Sequence, residues 1–239
     1  MVNSVREKLL ITLRLTIGKN RYENMSKVKV MWATPQGEEM VEYIARVSNP
    51  TQQSKTDEEH KLIKYLITNN HWSPFEMVNV CMEIETTRDI ARQILRHRSF
   101  SFQEFSQRYA EAFEWEKSEV RLQDTKNRQS SLATDDRELM RWWNDEQAVL
   151  LSHAKHLYKT ALDCGIAKEV ARKVLPEGLT ISRLYMNGTL RSWLHYVDIR
   201  TDMGTQKEHR EVALQCREKL IELFPNVFEE IIDGRYNNV

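Results

Sequence analysis

Seven glycines and five prolines in 239 residues leave little material for tight turns, which favours long helices in one large domain or two small ones. The glycines stand at positions 18, 37, 165, 178, 188, 204 and 234, so no two can build a glycine-rich phosphate loop. A nucleotide bound here needs side chains to hold its phosphates. Net charge is also lacking: 35 basic and 35 acidic side chains cancel, leaving no overall field to draw in a polyanion. Cys81, Cys164 and Cys216 are far apart, odd in number and without a C-x-x-C pair, which points to a reduced, cytoplasmic setting. No long apolar run is free of charge. Residues 9–17 come closest but contain Arg14, and they read as neither a membrane span nor a signal peptide. Residues 1–24 read as a poorly ordered extension ahead of a start at Met25, with an amphipathic transit peptide as the alternative, and 25–239 as one domain. What is present, 41% hydrophobic residues with six tryptophans, suffices for a substantial core and excludes disorder.

Val28, Val30 and Trp32 alternate with Lys27, Lys29 and Met31 ahead of Pro35, the pattern of a short strand. Helical spacing follows over 37–48 and again over 57–70, where acids fill the first turn. Residues 77–86 alternate strictly, with Val78, Val80, Met82 and Ile84 facing one way and Asn79, Glu83 and Glu85 the other; this is the clearest strand. Thr87 is placed to cap a helix with Ile90, Ala91, Ile94 and Leu95 on one face and Arg88, Arg92 and Arg96 along another. A long helix spans 136–163, with Leu139, Trp142, Trp143, Leu150, Ala154, Leu157 and Ala161 at apolar positions and Gly165 beyond its end. Further helices are expected at 167–174, 190–200 and 206–224. No repeat or linker interrupts them, so the expected fold is α+β, a single domain with an antiparallel or mixed sheet flanked by long helices.

Neutral total charge conceals a local excess: between 88 and 109, Arg88, Arg92, Arg96, Arg98 and Arg108 face only Asp89 and Glu104. Cations at a helix C-terminus complement its dipole, worth about 0.3–1 kcal/mol each, which accounts for Arg96 or Arg98 singly. It does not account for the following stretch, where hydroxyls and amides alternate with Phe100, Phe102, Phe105 and Tyr109. Guanidiniums with hydroxyl and backbone donors can hold phosphates without a glycine loop, and aromatics can cover a heterocyclic ring. On composition alone the cluster reads equally as an anion or nucleotide site or as a solvated basic face.

Arg96-His97-Arg98, then seven residues to Ser106, continuing Gln107-Arg108-Tyr109, resembles the signature of the flavin-dependent thymidylate synthases. The resemblance extends beyond it. Ala45-Arg46-Val47-Ser48 is similar to the family's early Ala-Arg-Val-Ser element, and His71-Trp72-Ser73-Pro74-Phe75-Glu76 to its His-x-(Ser/Thr)-Pro-Phe-Glu turn. Ala91-Arg92-Gln93 leads into the signature, Ala171 to Pro176 resembles the next block, and Arg191-Ser192-Trp193 through Arg200, then Gln206 and Glu208, the last. The similarity runs from about 28 to 224 and is weak through the middle helix.

The resemblance implies conversion of dUMP to dTMP by reductive methylation. Methylenetetrahydrofolate gives the one-carbon unit, and FAD passes on a hydride supplied by NADPH. It also implies a homotetramer whose sites are shared between subunits. FAD contacts are implied for Ser73, Arg96, His97, Arg98, Glu104, Thr189, Leu190, Arg191 and His195. The dUMP site is implied at Gln93, Ile94, Leu95, Arg96, Glu104, Phe105, Ser106, Gln107, Arg108, Arg172 and Arg200. Arg200 is the catalytic candidate, because a guanidinium beside the uracil N3 favours loss of that proton and polarises the ring toward hydride attack; an ordinary helix-terminal arginine is the plain alternative. His71 is the second catalytic candidate, against a turn histidine with its bonds satisfied. Ser106 reads as a phosphate or substrate contact, since no base and orienter accompany it. The cysteines fall outside any nucleophile pattern and are expected in buried, structural positions. Two positions depart from the family pattern: Met77 stands where some relatives carry histidine, and an asparagine-like flavin contact falls at Thr189, with Asn187 nearby.

Two other readings use different residues. His153 with His156, or Asp57 with His60, gives only a single pair where a carboxylate bundle site needs a second Glu-x-x-His, so no metal is expected. A single-stranded nucleic-acid module built on 88–109 would use its phenylalanines for stacking, but zero net charge and the lack of a known module argue against it. No membrane partner is expected.

Overall fold

The computed structural model describes residues 26–55, 60–112 and 114–232. The N-terminal extension and the acids expected at the start of the second helix lie outside the described residues. The elements run β1 (Lys27–Ala33), α1 (Gly37–Ala45), α2 (Lys61–Thr68), β2 (Asn79–Thr87), α3 (Arg88–Ile94), β3 (Ser101–Glu104), β4 (Arg121–Gln123), β5 (Ser131–Ala133), α4 (Arg137–Asp163), α5 (Lys168–Ala171), β6 (Ile181–Thr189), α6 (Leu190–Arg200), α7 (Lys207–Leu223) and α8 (Pro225–Ile232).

The main sheet has the order β1-β2-β6-β3 and is antiparallel throughout. Its alternation comes from β2, whose Val80, Met82 and Ile84 pair across to Gly188, Met186 and Leu184 of β6 on the buried face. On the other face Cys81, Glu83 and Glu85 stand opposite Asn187, Tyr185 and Arg183. There the Tyr185 hydroxyl donates to Glu83 at 2.7 Å and Arg183 pairs with Glu85, so this face is a polar ladder. Helices α3, α6 and α7 cover the apolar face, contributing Ile90, Ala91 and Ile94, then Trp193, Leu194, Tyr196 and Val197, then Val212, Ala213, Cys216 and Leu220. Each such large side chain removed from water contributes about 1.5–3 kcal/mol.

Three expectations change. Thr87 occupies the N-cap position of α3 but makes no capping bond with its side chain; instead the Arg88 N–H donates to the Thr180 carbonyl at 2.9 Å. Helix α4 begins where expected, with Asp136 accepting from the N–H groups of Glu138 and Leu139, and ends at left-handed Gly165. Its buried face, however, is Gln147, Leu151, Ala154 and Tyr158, while Trp142, Leu150 and Leu157 are exposed. That face is selected by polar partners: Gln147 accepts from the Ser118 N–H at 2.7 Å and donates to its carbonyl at 3.0 Å, and the Tyr158 hydroxyl accepts from the Ala112 N–H. Of the cysteines only Cys216 is fully buried, its thiol pushed up by desolvation, whereas Cys81 is partly accessible and Cys164 exposed. Among the described residues, no helix is long and apolar enough to cross a membrane.

Candidate active site

The Arg96–Arg98 triplet follows the end of α3 in a run of tight turns, with the His97 N–H donating to Ile94 at 3.0 Å and the Phe100 N–H to His97 at 3.2 Å. Arg96 and Arg98 are exposed and make no ion pair among the described residues. His97 turns inward, edge-on to Tyr196 with ring centroids 5.0 Å apart. Arg200, the last residue of α6, donates its Nε–H to His97 Nε2 at 2.9 Å. A guanidinium has no acceptor, so His97 Nε2 must be bare. Burial, then the Arg200 and Arg96 charges, lower the His97 pKa to about 4, and the ring is neutral at pH 7. His209 of α7, unassigned by the sequence reading, lies fully buried against the same ring, centroids 6.2 Å apart. The only sequence signal for it is position: it falls on the core stripe that continues through Val212, Ala213 and Cys216.

A second group gathers around the turn Ser73–Met77, which precedes β2. Glu76 Oε1 accepts from Arg191 at 2.7 Å and Oε2 from the Thr189 hydroxyl at 2.8 Å. Burial raises the Glu76 carboxyl, but the hydrogen bonds from Thr189 and Arg191 outweigh it and hold it below the usual range. Thr189 also caps α6, accepting from the Ser192 N–H at 3.2 Å. In turn Ser192 donates to the Ser99 carbonyl at 3.1 Å, fastening α6 to the segment after the triplet. His195 stacks edge-on to Trp72, and burial followed by the Arg191 charge lowers its pKa. His71 is exposed, its ring edge-on to Tyr65 at 5.8 Å. Glu76 was not singled out for a role, although it closes the His71–Glu76 motif.

The third group centres on Glu104, which accepts from Ser182 at 2.9 Å and lies 3.5 Å from both Arg88 and Arg92. Beyond it the Ser106 hydroxyl accepts from the Arg108 N–H, and Arg108 pairs with Glu169 at 3.1 Å. Phe105 is exposed and Leu95 half-buried. Arg172 lies in the turn after α5 with no ion pair among the described residues. No hydrogen bond or ion pair joins Ser106 or Arg108 to Arg200 or His97 among the described residues. The side chains of Ile94 and Leu190 are fully buried and that of Gln107 is 3% exposed. Ile94 and Leu190 therefore have only backbone to offer a ligand. Among the described residues the guanidiniums of Arg96, Arg98 and Arg172 have no ion-pair partner, and guanidiniums of this kind are suited to phosphate groups.

Residues 29–226 match the family described as thymidylate synthase complementing protein. The chain is 51% identical over 194 residues to a flavin-dependent thymidylate synthase of Synechocystis sp., covering 81% of this chain and 88% of that one. It is 48% identical over 191 residues to a probable flavin-dependent thymidylate synthase of Paramecium bursaria Chlorella virus 1, covering 80% and 88%. Among solved structures, the UMP/dUMP methylase PolB from Streptomyces cacaoi bound with 5-Br dUMP is similar with a TM-score of 0.76 at 26% identity, covering 89% of this chain and 97% of that one.

Proposed function

The chain belongs to the thymidylate synthase complementing protein family, that of the flavin-dependent thymidylate synthases, and from that premise we propose how its residues divide the work. The reaction is the reductive methylation of dUMP to dTMP, with methylenetetrahydrofolate as one-carbon donor and FAD and NADPH as the hydride source. Bound FAD supplies the hydride chemistry, while the protein supplies orientation and charge. Arg96 and Arg98 hold FAD phosphates with their unpaired guanidiniums, and Ser73, Arg191 and His195 border the same cofactor. Gln93 and Arg200 face the uracil; Ser106, Arg108 and Arg172 hold the dUMP phosphate. His71 stands at the rim of the flavin site.

The observation that carries this reading is the Arg200–His97 bond. It joins the residue assigned to substrate polarisation to the centre of the cofactor triplet. A neutral His97 takes the Arg200 Nε–H, leaving the outer nitrogens of Arg200 free of hydrogen bonds among the described residues and able to reach the uracil N3 and its neighbouring carbonyl. A full positive charge there favours the deprotonated ring.

Residues 25–239 act as one domain, and the assembly is a homotetramer in the cytoplasm. Two observations support the tetramer. Trp142, Val149, Leu150 and Leu157 leave an apolar stripe of α4 exposed, and exposed apolar patches mark subunit contacts. Among the described residues, Ser106 and Arg108 are also unconnected to Arg200, which fits a site shared between subunits. Three free cysteines support a reducing compartment. The test is direct: the purified protein is yellow, oxidises NADPH only with dUMP present, and forms dTMP when methylenetetrahydrofolate is added. A colourless protein that binds single-stranded oligonucleotide would overturn the reading.

A further inference from the structure

His209 is fully buried on the core face of α7, among Val212, Ala213 and Cys216, where leucine would pack without desolvating a polar ring. A buried polar group is costly unless it is bonded, so its bonds indicate its use. His209 Nδ1 lies 3.3 Å from Gln93 Oε1, Gln93 Nε2 donates to Gln206 Oε1 at 2.7 Å, and Gln206 Nε2 donates to Glu208 Oε2 at 3.1 Å. Glu208 is itself anchored by Arg121 at 2.6 Å.

The chain has a direction. A carboxylate only accepts, so Gln206 turns its amide nitrogen to Glu208 and its oxygen to Gln93. Gln93 therefore donates to Gln206 and turns its own oxygen to His209, which must carry its hydrogen on Nδ1. His209 Nε2 is then a bare acceptor, buried with no partner among the described residues; the Tyr196 hydroxyl is likewise buried without one. The His209 ring meets His97 edge-on at 83° and tilts at 42° against Tyr196, centroids 5.9 Å apart. The surface end of the chain is thus tied to the ring behind the Arg200–His97 bond.

We propose that His209 is a positioning residue for dUMP: with Glu208 and Gln206 it locks the Gln93 amide in one orientation and backs His97, which in turn aims Arg200. This rests on the assignment of Gln93 and Arg200 to the uracil site. One Gln93 N–H and one oxygen lone pair remain for the nucleotide, and the lock decides which way round they are offered.

The test uses the full-length, flavin-loaded enzyme with His209→Leu, His209→Asn, Gln206→Leu and Arg200→Ala, measuring flavin content, thermal midpoint, kcat and the KM for dUMP. His209→Leu is expected to keep its flavin and raise the KM for dUMP about ten-fold with a much smaller change in kcat, the size of one lost hydrogen bond. His209→Asn, whose amide nitrogen can take the place of Nδ1, restores most of that loss, a rescue that core packing alone would not give. Gln206 is exposed, so Gln206→Leu reproduces the KM rise without a core change and decides the matter should His209→Leu fail to fold. An unchanged KM in Gln206→Leu, or asparagine no better than leucine at 209, overturns the inference. If Arg200→Ala retains full turnover, the underlying assignment fails; if it is inactive while the other variants are normal, only the role of His209 is lost.

Discussion

Phe100 lies against the bare α-carbon of Gly188: a β-carbon at that position would stand 2.4 Å from the ring. The same ring is edge-on to Trp193 at 4.9 Å and to Tyr196 at 5.9 Å, and it follows the Arg96–Arg98 triplet by two residues. The depth at which the triplet sits is therefore set by a missing side chain in β6. Gly188→Ala forces Phe100 outward, and overpacking of this kind costs about 1–3 kcal/mol. Urea unfolding should show that loss together with reduced flavin content; an unchanged midpoint would mean the ring has room to move.

Arg200→Ala is expected to abolish dUMP-dependent NADPH oxidation while FAD remains bound, because among the described residues Arg200 is hydrogen-bonded to the triplet through His97 alone. Arg200→Lys restores little, since an ammonium cannot bond His97 and reach a planar ring edge together. Turnover assays beside flavin absorbance check both, and normal turnover in the alanine variant removes Arg200 from catalysis.

Arg98→Ala should emerge from gel filtration depleted of flavin. Its guanidinium is exposed and has no protein partner among the described residues, so its loss leaves no buried charge unmatched and the fold intact. Full flavin occupancy would take Arg98 out of the FAD site.

Stability should fall as the solution is acidified. His97 and His209 titrate at about 4 and about 3 in the fold, against 6.5 when free of it, burial being the first cause and the Arg200 charge the second. Depressed folded values mean that unfolding takes up protons below pH 6.5. Their contribution is complete above that pH and is lost as pH falls toward 4, at about 1.4 kcal/mol per pH unit for each ring. Denaturant midpoints between pH 7 and 5 measure this, and His209→Asn should flatten the dependence by one proton. An identical slope in that variant would show that His209 does not titrate as stated.

Replacing Cys81, Cys164 and Cys216 together should leave activity in any preparation that folds. Cys216 is the stability risk, since it is fully buried among core residues. Mass spectrometry should find no covalent adduct between cysteine and dUMP; trapping one would overturn the mechanism.

The parts legible in the sequence were those where one force acts alone. β2 announced itself because its inward positions Val80, Met82 and Ile84 are apolar, with Thr86 alone breaking the run at its end, and α6 and α7 because their stripes are regular. β6 did not, although it sits at the centre of the sheet: its inward positions are Ser182, Leu184, Met186 and Gly188. Two of those four carry no hydrophobic signal, one hydrogen-bonding Glu104 and the other making room for Phe100. β3 was hidden among the polar residues of the triplet's tail for the same reason. On α4 the apolar count misled, because Gln147 is buried by its bonds to Ser118 while Trp142 stays outside. The motifs singled out the arginines of the candidate site. They did not reveal that Glu76 clamps Thr189 and Arg191 or that His209 stands behind His97, since both depend on contacts between segments more than a hundred residues apart.

The strand order β1-β2-β6-β3 also dictates when the protein can fold. β2 and β3 both take β6 as neighbour, with pairings such as Asn79 to Thr189 and Ser101 to Asn187. During synthesis these strands wait with exposed edges while the whole of α4 is made. Distant pairings of this kind slow folding relative to local helices. A chain stopped before Ile181 has no closed sheet, and it also lacks Thr189, which caps α6 and bonds Glu76. Closure of the sheet and assembly of the Glu76–Thr189–Arg191 cluster both wait for β6, which leaves the strand edges of the nascent chain open to aggregation until that strand is made.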